Sequence, residues 1–183
     1  MTGFPSVLLL RFRSGKFKNF FLGPLVSSYR GWLGGFVTEE LREGPSRLGY
    51  SLRSLDGEST VLASRTIVSA VSFNKYGVNL EALNGAAAGA IRRARAGKAA
   101  VVVDELGSIS LKAPAFMEEL VALFSSGFPA LVTVRENAAV FLSTFSALEG
   151  CVPVELEEEK AASAERTVRA WLDFYVRLKG VSR

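Results

Sequence analysis

The chain has 183 residues, of which 49% are hydrophobic, and carries a formal net charge of +4 with one cysteine and no histidine. Length and apolar content predict one folded domain over residues 1–183 and exclude an intrinsically disordered chain. The lack of histidine excludes His-based catalytic triads and His-ligated zinc. The lone Cys151 excludes an internal disulfide, which favours a reducing, cytoplasmic location. The mild positive charge suits an anionic ligand.

The apolar runs are short, as at residues 7–10, and lie far below the roughly 18 residues that a membrane span needs. Residues 1–5 contain no basic segment of the kind that opens a signal peptide. We therefore expect no association with a membrane.

The first half of the chain predicts a strand at 6–12 and then a basic segment at 13–21. Gly23-Pro24 follows and is predicted to interrupt a long helix, because proline lacks a backbone N–H and disfavours helix at the preceding residue. A turn at 32–36 opens another strand. Asp56-Gly57 stands between two alternating runs, which is a strong signal for a β-hairpin.

The second half alternates between helices and fully apolar strands. Apolar residues on one helical face predict a helix from Leu80 to Ala94. Continuous apolar strands of this kind indicate a parallel sheet covered on both faces, with the first-half hairpins as an antiparallel addition. The remaining predicted elements are strands at 99–103, 130–134 and 151–156 and helices at 114–126, 138–148 and 163–179.

Two adjacent carboxylates, Asp104 and Glu105, follow the apolar strand at 99–103. In open α/β sheets, ligands bind at the carboxyl ends of the strands. In proteins that bind nucleotides through a phosphate loop, a carboxylate here holds Mg²⁺ and a neighbouring Glu orients the attacking water. The alternative is that both carboxylates simply leave the core for solvent.

Residues 10–17, LRFRSGKF, lie where a phosphate loop would follow the first strand. In the pattern G-x-x-x-x-G-K-[ST], Gly15 and Lys16 match, whereas Leu10 replaces the first glycine and Phe17 replaces the Mg²⁺-binding hydroxyl. Ser14 offers a hydroxyl two residues before the lysine. The alternative interpretation is an ordinary basic turn.

Three longer segments carry a family resemblance: residues 34–64, beginning GGFVTEELREGPSRLGY, residues 74–83, NKYGVNLEAL, and residues 101–111, VVVDELGSISL. In this order and spacing they resemble the P-loop nucleoside-triphosphatase family known from thermophiles, which has cancer-related relatives in animals. Within the first segment, Glu39, Glu40 and Arg42 are either substrate contacts or salt bridges.

The resemblance implies a P-loop NTPase three-layer sandwich, similar to RecA or nucleotide kinases, with a mainly parallel sheet. It also implies slow, Mg²⁺-dependent hydrolysis of ATP, GTP and other nucleoside triphosphates to the diphosphate and phosphate. The family's phosphate loop precedes its G-G-F block by about one helix, which maps the loop to residues 10–17. A second mapping, to residues 2–7, TGFPSV, is less favoured because no strand would precede that loop.

On this mapping, the residues fall into three roles. Asp104 is the expected Mg²⁺ ligand, and Glu105, Lys16 and Arg135 are the expected catalytic residues. The expected nucleotide-binding residues are Arg13, Ser14, Gly15, Lys16, Phe17, Lys18 and Thr133, the last as a sensor of the γ-phosphate.

The departures from the family pattern, Phe17 above all, keep an alternative open. In it the chain is a catalytically inactive P-loop-fold protein that serves as a nucleotide-binding or protein-interaction module. Nucleic-acid binding through the basic residues between Arg11 and Arg30 is the least favoured hypothesis, because no recognisable nucleic-acid module accompanies them. The oligomeric state is left open.

Overall fold

The structure, a computed structural model, describes residues 4–181. Its helices are α1 (Gly15–Ser28), α2 (Ala88–Gly97), α3 (Pro114–Ser125), α4 (Ala139–Ser146) and α5 (Ala161–Val181). A π-helical turn, Ala82–Ala87, runs directly into α2. The strands are β1 (Val7–Phe12), β2 (Leu33–Glu43), β3 (Ser46–Ser54), β4 (Ser59–Ser64), β5 (Ser72–Phe73), β6 (Tyr76–Val78), β7 (Ala100–Leu106), β8 (Ala130–Arg135) and β9 (Cys151–Leu156).

The strands form one sheet in the order β5-β6-β4-β3-β2-β7-β8-β1-β9. From β2 to β9 every neighbouring pair is parallel, whereas β3, β4, β6 and β5 add antiparallel pairs beyond β2. The mainly parallel sheet with an antiparallel addition is therefore confirmed. The hairpin at Asp56-Gly57 is also confirmed, since it joins β3 to β4 with Gly57 at φ 107°.

Alternating strand residues divide the core into two layers. Leu9 of β1 packs in a cluster with apolar residues of α2, α3 and α4, whereas its neighbours Leu8 and Leu10 pack with α1 and α5. A strand covered on both faces is apolar at nearly every position, which explains the continuous runs in β1, β7 and β8. The result is the predicted three-layer sandwich. In residues 4–181, no helix combines the length and apolarity needed to cross a membrane.

The two glycines of the G-G-F block allow β2 to approach its neighbours closely. A Cβ at Gly34 would lie 2.5 Å from Ala94 Cβ of α2. A Cβ at Gly35, where φ is +96°, would lie 2.1 Å from the Val102 carbonyl oxygen of β7. The two glycines therefore set the distance of β2 from α2 and from β7.

Helix α1 corrects one expectation, because it continues through Gly23-Pro24 to Ser28. An interior proline costs a helix about 3 kcal/mol. Four apolar side chains on the face that meets the sheet are buried, and each such burial contributes about 1.5–3 kcal/mol, so packing outweighs the proline. These side chains are Phe21, Leu22, Leu25 and Val26.

Strand β7 is longer than expected. It continues through Asp104 and Glu105 to Leu106, and Asp104 is completely buried. The carboxylates therefore do not leave the core for solvent at the end of the apolar run. The buried charge of Asp104 must find partners inside the protein.

Candidate functional site at the carboxyl ends of the central strands

The connection between β1 and α1 consists of Arg13 and Ser14 alone. Residues 10–12 of the expected phosphate loop lie in β1, and residues 15–17 form the first turn of α1. Ser14 caps the helix, because its side-chain oxygen accepts a hydrogen bond from the Phe17 backbone N–H at 3.2 Å. Arg13 makes an ion pair with Glu136. Of the alternative loop at residues 2–7, residues 2 and 3 lie outside the described residues.

Asp104 is surrounded by donors from three elements. Its Oδ1 accepts from Lys18 Nζ of α1 and from Thr133 Oγ1 of β8, each at 2.5 Å. Its Oδ2 accepts from the Thr38 backbone N–H of β2 at 3.0 Å. The carboxylate is thus both charge-paired and hydrogen-bonded, which is what burial of a charge requires.

Lys18, and not Lys16, reaches Asp104. Lys18 lies on the same helical face as Leu22 and Leu25, at spacings of four and seven residues, and this face meets the sheet. Lys16 lies about 200° away around the helix and is exposed, since each residue turns the helix by about 100°. The Lys18 side chain is 2% exposed, and its Nζ also lies 3.6 Å from Glu105 Oε2 and 5.5 Å from the centre of the Phe12 ring.

Glu105 follows Asp104 in β7, and its side chain is 23% exposed, so it reaches the surface of the site. Its Oε1 accepts from Arg135 Nε at 3.0 Å. Burial raises the pKa of Glu105 above its usual value, and the positive charges of Lys18 and Arg135 oppose part of this rise. A carboxylate with a raised pKa is a better proton acceptor than an ordinary glutamate.

Arg135 lies over the start of α1. Its Nη1 donates to the Arg13 carbonyl oxygen at 3.4 Å, and its guanidinium carbon lies 5.1 Å from the centre of the Phe12 ring. A Cβ at Gly15 would lie 3.2 Å from Arg135 Nη2. The guanidinium therefore brings a positive charge to the helix N-terminus, where backbone N–H groups also favour anions.

A cavity of about 110 Å³ adjoins this cluster. Its polar lining includes Gly15, Lys18, Glu39, Glu40, Glu105 and Arg135. Its apolar lining includes Phe36, Tyr50, Leu62, Phe73, Leu83 and Ile109. A small anionic group in this cavity could meet the guanidinium of Arg135 and the carboxylate of Glu105 together.

Two groups that sequence left undecided have structural partners. Glu39 makes an ion pair with Arg53 at 2.6 Å. Glu40 makes ion pairs with Arg42 at 2.6 Å and with Arg47 at 3.2 Å. The pairs with Arg53 and Arg47 tie β2 to β3, and Arg42, itself in β2, donates a hydrogen bond to the Pro45 carbonyl oxygen in the turn that follows.

Mg²⁺, which the family resemblance implies, requires oxygen ligands in a near-octahedral arrangement. Both oxygens of Asp104 already accept hydrogen bonds, and one of them carries the Lys18 ammonium. The hydroxyl position of the loop pattern is occupied by Phe17. Across residues 4–181, no group of three or more His, Cys, Asp or Glu residues is arranged to hold a metal. These residues do not fit a metal ion held by Asp104.

The three-layer sandwich, with acidic, basic and hydroxyl side chains gathered where β7, β8 and α1 meet, defines a nucleotide-binding type of α/β protein. The sequence model described as NTPase matches residues 25–168, and the chain belongs to this nucleoside-triphosphatase family. The match begins inside α1, so the connection between β1 and α1 precedes it.

Curated relatives agree with this assignment. The chain is 32% identical over 141 residues to "Nucleoside-triphosphatase THEP1" of Thermotoga maritima, covering 77% of this chain and 81% of the relative. It is 37% identical over 106 residues to the protein of the same name from Thermofilum pendens, covering 57% and 58%.

Two solved structures share the fold. The crystal structure of THEP1 from the hyperthermophile Aquifex aeolicus superposes with a TM-score of 0.80 at 20% identity, covering 91% of this chain and 98% of the other. The solution structure of a human cancer-related nucleoside triphosphatase superposes with a TM-score of 0.68 at 18% identity, covering 92% and 96%. At these identities, the likeness concerns the fold.

The expected site residues divide into two groups. Asp104, Glu105, Lys18, Thr133 and Arg135 form one contact network, whereas Lys16 is exposed and Ser14 serves as the helix cap. Sequence reasoning missed Thr38, whose contribution is a backbone N–H and therefore leaves no side-chain signal. It also missed the partnership of Lys18 with Asp104, for which the spacing of Lys18, Leu22 and Leu25 was the available clue.

Proposed function

We propose that this chain binds a nucleoside triphosphate, ATP or GTP, and hydrolyses it slowly to the diphosphate and phosphate. The observation that carries the proposal is the network of Glu105, Arg135 and the α1 N-terminus at the carboxyl edge of a parallel sheet in a nucleoside-triphosphatase family member. The names of the relatives, nucleoside-triphosphatase THEP1, support the same activity.

The phosphates would lie at the N-terminus of α1, against Arg135 and the backbone at Gly15. Arg135 would neutralise charge that develops on the transferred phosphoryl group. Lys16, exposed on the same first turn, would approach the outer phosphates from the solvent side. Arg13, Ser14, Phe17 and Lys18 complete the first turn and its entry.

Glu105 would orient the attacking water and accept its proton. Its raised pKa and its position beside the cavity support this role. Thr133 would contribute through Asp104, to which it donates a hydrogen bond. Mg²⁺ belongs to the proposal as part of the substrate, the Mg-nucleotide complex. A cytoplasmic location also belongs to it, supported by the single cysteine.

The test is phosphate release from Mg-ATP and Mg-GTP by the purified protein and by Glu105→Gln. Turnover that falls at least tenfold in the variant supports the proposal. Equal turnover in both proteins indicates a contaminating phosphatase. The absence of turnover, together with no thermal stabilisation by either nucleotide, overturns the proposal.

A further inference from the structure

The environment of Asp104 contains a cation that belongs to the chain itself. Lys18 Nζ lies 2.5 Å from Asp104 Oδ1 and 3.6 Å from Glu105 Oε2, so the ammonium stands between the two carboxylates. Its side chain is 2% exposed and that of Asp104 is 1% exposed. A charge-assisted hydrogen bond of this kind is short and strong, and here it neutralises a buried carboxylate.

The same ammonium lies where a metal bound to Asp104 would have to lie. A Mg²⁺ ion sits about 2.1 Å from each ligand oxygen, so an ion on Oδ1 would meet the ammonium and the Thr133 hydroxyl on the same atom. Oδ2 is engaged by the Thr38 N–H. The Mg²⁺ ion and the Lys18 ammonium are both positive, and two positive charges this close repel each other strongly in a buried site.

The position of Lys18 is fixed by the fold. Its backbone belongs to the helical face that Leu22 and Leu25 bury against the sheet, and its ammonium also lies 5.5 Å from the centre of the Phe12 ring. Withdrawal of the side chain would leave Asp104 as an uncompensated charge that is completely buried. The cation is therefore a permanent part of the site.

We propose that Lys18 is a built-in cation that takes the place of a divalent metal ion at Asp104, so that this chain holds no metal at that carboxylate. Removal of the ammonium then converts Asp104 and Glu105 into a divalent-cation site. The inference concerns the free protein and holds whether or not the chain hydrolyses a nucleotide. Its failure is therefore distinguishable from failure of the proposed function.

The test titrates Mn²⁺ alone, without nucleotide, into the wild-type protein, Lys18→Met and the double variant Lys18→Met/Asp104→Asn. Thermal unfolding and the electron paramagnetic resonance signal of free Mn²⁺ are the readouts. Lys112→Met, which removes an exposed lysine, is the matched control. We expect no Mn²⁺-dependent stabilisation of the wild type or of Lys112→Met. We expect a rise in the melting temperature of Lys18→Met with Mn²⁺, and its loss in the double variant.

Mn²⁺ binding to the wild-type protein that disappears in Asp104→Asn overturns the inference. Lys18→Met that folds but does not bind Mn²⁺ also overturns it. Lys18→Met leaves a buried carboxylate unpaired and can fail to fold without metal. In that case, refolding with and without Mn²⁺ replaces the titration. Recovery of folded Lys18→Met only with Mn²⁺ supports the inference, and failure to recover it with Mn²⁺ overturns it.

Discussion

The Arg135 guanidinium and the Glu105 carboxylate face each other across the ends of β8 and β7, with Nε 3.0 Å from Oε1. Both residues line the cavity, and Arg135 lies beside the N-terminus of α1, so an anion that binds there must compete with Glu105 for the guanidinium. Binding of a phosphate would thus shift Arg135 from the carboxylate to the ligand and leave Glu105 freer to accept a proton.

Glu105→Gln is expected to lower the rate of nucleotide hydrolysis by about 10²–10⁴-fold, because the amide cannot accept the proton of the attacking water. Nucleotide affinity should rise, since the neutral amide no longer competes with the phosphates for the Arg135 guanidinium. Phosphate release measures the first effect and thermal shift with nucleotide the second. Glu118→Gln, at an exposed position on α3, is the control. Full activity of Glu105→Gln, in a protein whose activity is lost in Arg135→Gln and therefore is not a contaminant's, would remove Glu105 from the chemistry.

Arg135→Gln is expected to lower the rate of hydrolysis by about 10²-fold, because the variant loses a positive donor aimed at the phosphates. Steady-state kinetics at low and high salt are the measurement, and the defect should be larger at low salt, where exposed charges are less screened. Arg166→Gln, exposed on α5, is the control. A variant with unchanged kinetics would show that Arg135 serves only as the partner of Glu105.

Thr133→Val is expected to lower the free energy of unfolding by about 1–3 kcal/mol, because it removes a hydroxyl that donates to the buried Asp104. The two side chains have nearly the same shape, so the hydroxyl is the main difference. Thr133→Ser keeps the hydroxyl and should lose only about 1 kcal/mol, for the missing methyl group. Urea unfolding measures both values. A larger loss of unfolding free energy in Thr133→Ser than in Thr133→Val would contradict the role given to the hydroxyl.

The thiol of Cys151 is expected to react slowly with iodoacetamide. Burial raises the pKa of Cys151 from 9.0 to about 11. The thiolate is the reactive form, so at pH 8 the folded protein should react about 100-fold more slowly than the urea-unfolded chain. Because the folded pKa is the higher one, the favourable contribution of the neutral thiol to stability is complete below pH 9 and is lost as the pH rises towards 11.

The alkylation rate of the folded protein should therefore be half-maximal near pH 11. The unfolded chain, in which the cysteine has its ordinary pKa, should reach half its maximal rate near pH 9, level off above that pH, and serve as the control. A half-maximal rate near pH 9 in the folded protein as well would show that Cys151 is solvated.

The sequence predicts those parts of the fold that depend on local patterns. Apolar runs identify β1, β7 and β8 because a strand covered on both faces has few polar positions, and Asp56-Gly57 identifies its hairpin because the turn needs a positive φ. The continuity of α1 through Pro24 could not be predicted in this way, since it depends on the surface against which the helix packs.

The candidate site is also predictable only in part, because some of its contacts depend on how distant elements pack against each other. Asp104 and Glu105 are recognisable from their place after an apolar run, and Arg135 from the end of the next strand. The contact between Lys18 and Asp104 joins residues 86 positions apart, so no local pattern identifies the pair. The spacing of Lys18 from Leu22 and Leu25 is a clue that this lysine faces inward, but its partner becomes evident only when α1 packs on the sheet.

The two-residue connection of Arg13 and Ser14 has a consequence for the kinetics of ligand binding. Because only two residues join β1 to α1, the backbone there has little conformational freedom to open or close around a ligand. Adjustment falls to side chains such as Arg135, which is 42% exposed and can change rotamer within nanoseconds, whereas loop and lid closures can take microseconds to milliseconds. In stopped-flow experiments, association of a nucleotide should therefore appear as a single bimolecular phase whose rate rises linearly with ligand concentration, without the saturation that a slow closing step would impose.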